Sequence, residues 1–245
     1  MNASLGRRVA AEAIGTGLLV AVVAGSGIQA AELSRDVGVQ LLANSLATVF
    51  GLGVLILLFG PISGAHFNPA VTLAAWITGR RTPDALALRD VAAYVPAQIG
   101  GAIGGALLAD AMFAKPLVKF STHDRSAGHL WLGEIVATAG LILLIFGLNR
   151  ISRAALAPAA VASYIGAAYW FTSSTSFANP AVTIGRAFTD TFAGIAPASV
   201  APFIAAQLFG AGLGLGIVTT VYGTHPVPAL PEAAVPPAQP ELSSS

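Results

Sequence analysis

Six long runs of apolar residues, separated by shorter polar segments, dominate this sequence. A bilayer core about 30 Å thick is crossed by a helix of about 20 apolar residues, so each run predicts a membrane span. Two further apolar segments, 60–79 and 174–190, follow spans two and five and are too short to cross by themselves. We place the six spans at residues 9–28, 38–59, 87–112, 130–148, 155–173 and 198–222.

Both short apolar segments contain the same five residues, Asn-Pro-Ala-Val-Thr, at 68–72 and again at 179–183. Asparagine is a preferred N-cap, and proline fits the first turn of a helix because it lacks an N–H. Each copy therefore predicts the start of a half-helix within the membrane. The residues of this motif are Asn68, Pro69, Ala70, Asn179, Pro180 and Ala181, in which the prolines are structural and the alanines are small enough for the helix ends to touch.

The rest of the chain also repeats. Glu12 and Thr16 in span one correspond to Glu134 and Thr138 in span four, and an Ala-Gln pair precedes a glycine-rich run in spans three and six. Because each half holds three spans, the second half must enter the membrane in the opposite orientation. The sequence thus predicts an all-α membrane protein with six transmembrane helices and two re-entrant half-helices in two inverted repeats. The predicted units are a first repeat at 1–112, a connecting loop at 113–129, a second repeat at 130–222 and a disordered tail at 223–245.

Glycine-rich runs in spans three and six have the spacing that lets membrane helices approach closely. We therefore expect these glycines to serve helix packing. They are Gly100, Gly101, Gly104, Gly105, Gly210, Gly212, Gly214 and Gly216.

Composition agrees with a membrane protein. The 245 residues are 55% hydrophobic and 9% charged, whereas soluble domains carry roughly a quarter charged residues. The net charge of +1 provides no basic surface for nucleic acid, and the absence of cysteine excludes disulfides and thiolate sites. No nucleophile, base and metal constellation falls within the spans, so we expect no catalytic residue, metal or cofactor.

Positive charge predicts the orientation. With a cytoplasmic amino terminus, seven of the twelve cations lie inside, which follows the positive-inside rule, while Lys115, Lys119 and Arg125 lie outside. We therefore expect a multi-pass protein of the plasma membrane, the inner membrane in a bacterium, with both termini cytoplasmic. The inside cations are Arg7, Arg8, Arg80, Arg81, Arg89, Arg150 and Arg153.

Two carboxyl groups, Glu12 and Glu134, lie within predicted spans, where an unpartnered charge costs at least about 2.5 kcal/mol. One interpretation is a proton relay or a catalytic acid. Their matched positions favour a structural role, in which each carboxylate accepts hydrogen bonds from backbone N–H groups of a re-entrant loop.

Residues 63–72 (Ser-Gly-Ala-His-Phe-Asn-Pro-Ala-Val-Thr) and the second Asn-Pro-Ala resemble the aquaporin, or major intrinsic protein, family, over residues 8–222. The resemblance implies a six-helix protomer with its own pore and a homotetramer in the lipid bilayer. It also implies that His66 lines the cytoplasmic vestibule, although a packing role for this histidine is an alternative. Two abutting half-helix ends would disfavour cations, and the Asn68 and Asn179 amides, with their nitrogens free, would donate to a solute.

The filter departs from this family pattern, in which arginine usually follows the second Asn-Pro-Ala. Here that position is Val182, and a gapless count maps the other filter members to Thr48, Ala167 and Ser176. Small, uncharged residues predict a wide constriction that passes neutral solutes larger than water. In this respect the chain resembles the aquaglyceroporin-like channels of bacterial arsenic-resistance operons, which implies efflux of arsenite or methylated arsenicals, and glycerol permeation. A strict water channel is the alternative, and a secondary transporter with broken helices is a third reading.

Arg186 follows Val182 by four residues on the same helix face, one turn nearer the exterior. Helical side chains lean toward the amino terminus, so its guanidinium could reach back over the outer mouth and attract weak anions. The alternative is an interfacial arginine that snorkels to lipid headgroups or bonds a loop carbonyl.

Overall fold

The computed structural model describes residues 3–79 and 86–223, and all regular elements in these ranges are helical. Six helices are long and apolar enough to cross a membrane, which confirms the six predicted spans. The helices are α1 (Leu5–Leu33), α2 (Val37–Ser63), α3 (Pro69–Gly79), α4 (Leu88–Met112), α5 (Gly128–Arg150), α6 (Ala157–Phe171, after a 3-10 turn at Ala154–Leu156), α7 (Pro180–Arg186) and α8 (Pro197–Tyr222).

Most of the observed helices extend past the predicted apolar runs. For example, α1 begins at Leu5 and continues to Leu33, whereas hydropathy placed its span at 9–28. Helical hydrogen bonding continues through polar residues beyond the bilayer core, so hydropathy sets a minimum length. The connecting loop accordingly ends at 127, before α5. The predicted tail, apart from Gly223, lies outside the described residues.

The two short helices begin where the repeated motif predicts. Helix α3 starts at Pro69 and α7 starts at Pro180, the second residue of each motif copy. The first re-entrant loop begins as α2 ends at Gly64, whose φ of +91° suits glycine and whose N–H donates to Gly60 O at 3.0 Å. A helix of 11 residues and one of 7 are too short to span, so both are re-entrant segments.

Glycine lets α1 and α4 pack at very close range. A β-carbon added to Gly101 would lie 2.2 Å from Ala13 O, and one added to Gly105 would lie 2.0 Å from Gly17 O. These contacts are to backbone, which cannot move aside as a side chain can. The packing role predicted for these two glycines is confirmed.

Helices α5 and α8 use the same device. A β-carbon on Gly210 would lie 2.5 Å from Ile135 O, and one on Gly214 would lie 2.6 Å from Ala139 O. The other members of the two runs make no close approach within this chain, because a β-carbon would meet nothing among the described residues within 4 Å on Gly100, Gly104, Gly212 or Gly216. Those glycines lie about one or two residues away along the helix and therefore on a different face.

Candidate pore and selectivity filter

Each motif asparagine caps its own half-helix. The side-chain oxygen of Asn68 accepts from the N–H of Ala70 at 2.9 Å. The side-chain oxygen of Asn179 accepts from the N–H groups of Ala181 and Val182 at 3.0 and 3.2 Å. The predicted caps are thus present, and they satisfy amide groups at the positive ends of the two half-helices.

The two asparagine amides also tie the loops to each other. The Nδ2 atom of Asn68 donates to Ala178 O at 2.7 Å, and that of Asn179 donates to Phe67 O at 2.8 Å. The expectation that these nitrogens are free was therefore wrong, because the half-helix ends lie close enough for each amide to reach the opposite loop. Each amide nitrogen carries two hydrogens, so one N–H of each remains for a solute.

The backbone entering each half-helix follows the same course. Phe67 and Ala178, which directly precede the asparagines, both have φ of +48°. Ala65 and Ser176, three positions before the asparagines, have φ of +48° and +51°. Non-glycine residues with positive φ are uncommon and cost about 1–3 kcal/mol each unless the surroundings hold them. The same strained backbone in both loops indicates that equivalent contacts hold each of them in place.

Glu12 supplies the restraint for the first loop. Its side chain is fully buried, and its carboxylate accepts from the N–H groups of His66 and Phe67 at 3.0 and 2.7 Å. Ser63 Oγ and Gln98 Nε2 complete the set at 2.6 and 2.8 Å. The backbone contacts that the sequence predicted are present, and they turn the loop's amide hydrogens away from the cavity.

Glu134 does the same for the second loop. Its carboxylate accepts from the N–H groups of Phe177 and Ala178, both at 2.8 Å, and from Gln207 Nε2 at 2.6 Å. The sequence reasoning did not assign Gln98 or Gln207 to this network. The signal was available, because the same Ala-Gln pair stands in spans three and six.

A cavity of about 420 Å³ passes between the two half-helices and the long helices. On α2 its lining extends from Thr48 to Gly60, which is roughly 18 Å along a helix. The predicted residues that line it are Thr48, His66, Asn68, Ser176, Asn179, Val182 and Arg186.

Ala167 does not line this cavity, so its assignment to the filter was wrong. It is exposed on α6, and Tyr169 lies against the cavity instead, with its hydroxyl oxygen 3.0 Å from Thr48 Oγ1. Two residues along a helix correspond to a turn of about 200°, so a gapless count that is wrong by two selects the opposite face. The cavity wall on α6 therefore carries an aromatic residue where a small one was expected.

Val182 and Ser176 both lie at the cavity with little exposure, 5% and 4%. The Oγ atom of Ser176 is buried and has no hydrogen-bond partner among the described residues. Because this atom has almost no accessible surface, the hydroxyl is covered from the cavity in this conformation.

Arg186 both bonds a loop carbonyl and contacts the cavity, which the sequence offered as alternatives. Its Nε donates to the loop carbonyl of Ala193, and its Cζ lies 3.4 Å from the centroid of the Phe177 ring. The residue is 96% buried and also lines the cavity. Loop anchoring and contact with the pore are thus compatible for this side chain, and Phe177 is a filter neighbour that the sequence reasoning missed.

His66 lines the cavity and packs against Tyr94, with the ring centroids 5.7 Å apart. Its Nδ1 lies 3.1 Å from Thr72 Oγ1, whose hydrogen is already donated to Asn68 O at 3.0 Å. Nδ1 is therefore the donor in this contact, which leaves Nε2 as an acceptor in the neutral ring. Packing and vestibule lining coexist at this residue.

Comparisons with known proteins agree with this architecture. The family model for the major intrinsic protein matches residues 1–176. Aquaglyceroporin AqpS from Rhizobium meliloti (strain 1021) is 50% identical over 214 residues, which cover 87% of this chain and 89% of that protein. The glycerol uptake facilitator protein of Pseudomonas aeruginosa is 30% identical and covers 92% of this chain and 91% of its own length.

A solved structure has the same fold. The X-ray structure of the aquaglyceroporin from Plasmodium falciparum matches with a TM-score of 0.66 at 22% identity, covering 89% of this chain and 97% of that one. With six spanning helices, two capped half-helices and these relatives, the chain belongs to the major intrinsic protein family of multi-pass membrane channels.

Proposed function

We propose that this protein is a passive channel for uncharged solutes larger than water, with glycerol, arsenite and methylated arsenicals as permeants. The observation that carries the proposal is Val182, which lies at the cavity where the family usually has arginine. An aliphatic side chain adds neither charge nor donors to the constriction. Neutral solutes with several hydroxyl groups therefore meet no desolvated cation at this level.

The cavity wall suits a polyhydroxylated solute because it has a polar and an apolar part. The hydroxyl oxygens of Thr48 and Tyr169 can accept from solute hydroxyl groups, and the remaining asparagine N–H groups can donate to solute oxygens. The apolar part of the lining consists of aliphatic side chains, which can contact the carbon skeleton. Its members are Leu19, Val23, Leu52, Ile56, Leu141, Ile145, Val161 and Ile165.

Arsenite fits the same description. At neutral pH it is the uncharged trihydroxide, with a size and hydrogen-bonding capacity close to those of glycerol. Trivalent arsenic binds thiols, and this chain has no cysteine to retain it. Release of arsenicals from the cell would then follow their gradient, because a passive channel sets no direction.

Relatives support the class of permeant. They include an aquaglyceroporin, a glycerol uptake facilitator and, at 32% identity over 64% of this chain, the propanediol uptake facilitator PduF of Citrobacter freundii. Each of these names refers to glycerol or propanediol, which are small neutral polyols. By family resemblance we also propose a homotetramer with both termini in the cytoplasm.

A strict water channel is the second candidate, and Tyr169 favours it. The phenol takes the place at the cavity that was expected to hold alanine, so the filter is narrower than the sequence indicated. Both candidates are passive channels and differ only in the largest solute admitted.

Arg186 bears on charged permeants. Its guanidinium lines the cavity one turn outside Val182 and forms no ion pair with a described carboxylate. We propose that it attracts weak anions to the outer mouth. Substitution by alanine should then reduce anion flux more than neutral-solute flux, and an equal fall in both would remove this role.

The test of the function is reconstitution of the purified full-length chain into liposomes, with light scattering or uptake assays for water, glycerol, arsenite and methylated arsenicals. Flux of the larger neutral solutes above that of empty liposomes supports the wide filter. Water flux alone would select the second candidate.

A further inference from the structure

One side chain from the connecting loop, Arg125, joins three segments at the outer end of the cavity. Its Nε donates to Gly194 O at 3.1 Å, and its Nη1 donates to Ser174 O at 3.3 Å. Its Cζ also lies 4.9 Å from the centroid of the Phe177 ring. Arg125 thus connects loop 113–127 to the loop that follows α7 and to the loop that carries filter residue Ser176.

Arg125 and Arg186 contact the same ring and neighbouring carbonyl groups. They bond the consecutive carbonyls of Gly194 and Ala193, and both guanidinium groups lie within 5 Å of the centroid of the Phe177 ring. Neither forms an ion pair with a described carboxylate. Two like charges so close together repel, so the ring face and the two carbonyls must hold them in place.

The backbone around Arg125 is fixed independently of its side chain. Its own N–H donates to Ser199 Oγ at 2.9 Å, Ser199 Oγ donates to Asp124 Oδ1 at 3.0 Å, and the N–H of Ala196 donates to His123 O at 2.7 Å. These bonds anchor the loop to the start of α8. A substitution of the Arg125 side chain therefore leaves the path of the loop in place.

We propose that Arg125 is a specificity-determining positioning residue. It holds Phe177 against the guanidinium of Arg186 and so sets the width of the outer end of the cavity. The inference rests on the proposed function, since it assumes that solutes pass between Val182 and Arg186. Without Arg125, the Phe177 ring and Arg186 are held less firmly. The flux of bulkier solutes then rises more than the flux of glycerol.

The test compares Arg125→Met and Arg125→Lys with the wild type in liposomes, using glycerol and the longer polyol xylitol. The xylitol-to-glycerol flux ratio should rise about threefold in both variants, as expected when one member of a coupled set of contacts is removed. Lysine keeps the charge but not the planar fork that reaches two carbonyls. Lys119→Gln, which removes a charge from the same loop, is the control and should leave the ratio unchanged.

A coupling measurement separates positioning from a general structural role. In a Phe177→Leu background, Arg125→Met should change the ratio much less than it does in the wild type, because the shared partner is gone. Independent, multiplicative effects, or an unchanged ratio in both Arg125 variants, would overturn the inference. If the wild type passes neither polyol, the proposed function itself fails, whereas wild-type flux with an unchanged ratio in the variants rejects only the role of Arg125.

Discussion

The hydroxyl oxygen of Tyr169 on α6 lies 3.0 Å from Thr48 Oγ1 on α2. Thr48 Oγ1 is also 2.9 Å from Asn44 O, to which it donates its hydrogen, so Tyr169 OH is the donor to Thr48. Both residues line the cavity, as Val182 does. The bond therefore holds the Tyr169 ring against the cavity wall, where we expect it to restrict the size of the solutes that pass.

Tyr169→Ala should widen the filter. Removal of the ring should raise xylitol flux relative to glycerol by about tenfold, because a large side chain leaves the cavity wall. Tyr169→Phe should change this ratio little, since only the hydroxyl is lost. Ala167→Val is the matched control on the exposed face of α6, and a larger effect there than at Tyr169 would contradict the placement of the filter.

Val182→Arg should close the channel to the larger solutes. The new guanidinium would enter the cavity next to that of Arg186, adding bulk and a second charge. Flux of glycerol and arsenite should fall by about tenfold or more while part of the water flux remains. Val182→Leu adds volume without charge and separates the two causes. Equal solute flux in wild type and Val182→Arg would contradict the filter argument.

Local signals made much of the fold predictable from the sequence. The six spans follow from apolar length, and the half-helix starts follow from Asn-Pro pairs whose caps depend on neighbouring backbone groups alone. The partners of Glu12 and Glu134 were predictable because a carboxylate inside the membrane must find donors, and a re-entrant loop is the nearest source.

The filter was less predictable because it depends on helix register. Each residue turns a helix by about 100°, so a short error in counting from Asn179 placed Ala167 rather than Tyr169 at the cavity. Arg125 and Phe177 have no local pattern that marks them. Their contact arises from the path of loop 113–127 over the end of the cavity where Arg186 lies, which no motif in the sequence specifies.

Gly105→Ala should destabilise the packing of α1 on α4. The new methyl group would lie 2.0 Å from Gly17 O, so the helices must separate, at a cost of about 2 kcal/mol. Gly104→Ala is the control one residue away, where nothing lies within 4 Å, and it should be neutral or stabilising by up to about 1 kcal/mol. Thermal unfolding in detergent micelles measures both, and similar midpoints for the two variants would contradict the close approach.

Asp190 should make the loop at 113–127 and the loop after α7 sensitive to acid. The N–H of Thr122 and the ammonium of Lys119 hold the pKa of this carboxyl at about 2, below its ordinary 3.8. A lowered pKa stabilises the folded state above pH 3.8, and the contribution is lost as the pH falls toward 2. The difference in unfolding midpoint between wild type and Asp190→Asn should therefore be present at about pH 6, shrink below pH 3.8 and be mostly lost at about pH 2. A difference independent of pH would contradict this assignment.

Glu134→Gln should lower stability far more than it alters selectivity. The replacement amide presents N–H hydrogens where the carboxylate accepts from Phe177, Ala178 and Gln207, so at least one buried donor loses its acceptor. The expected loss is about 2 kcal/mol in the free energy of unfolding. Glu32→Gln, in the exposed pair with Lys115, is the control and should cost less than about 1 kcal/mol. A polyol flux ratio that shifts in folded Glu134→Gln channels, with unfolding unchanged, would instead assign this carboxylate to permeation.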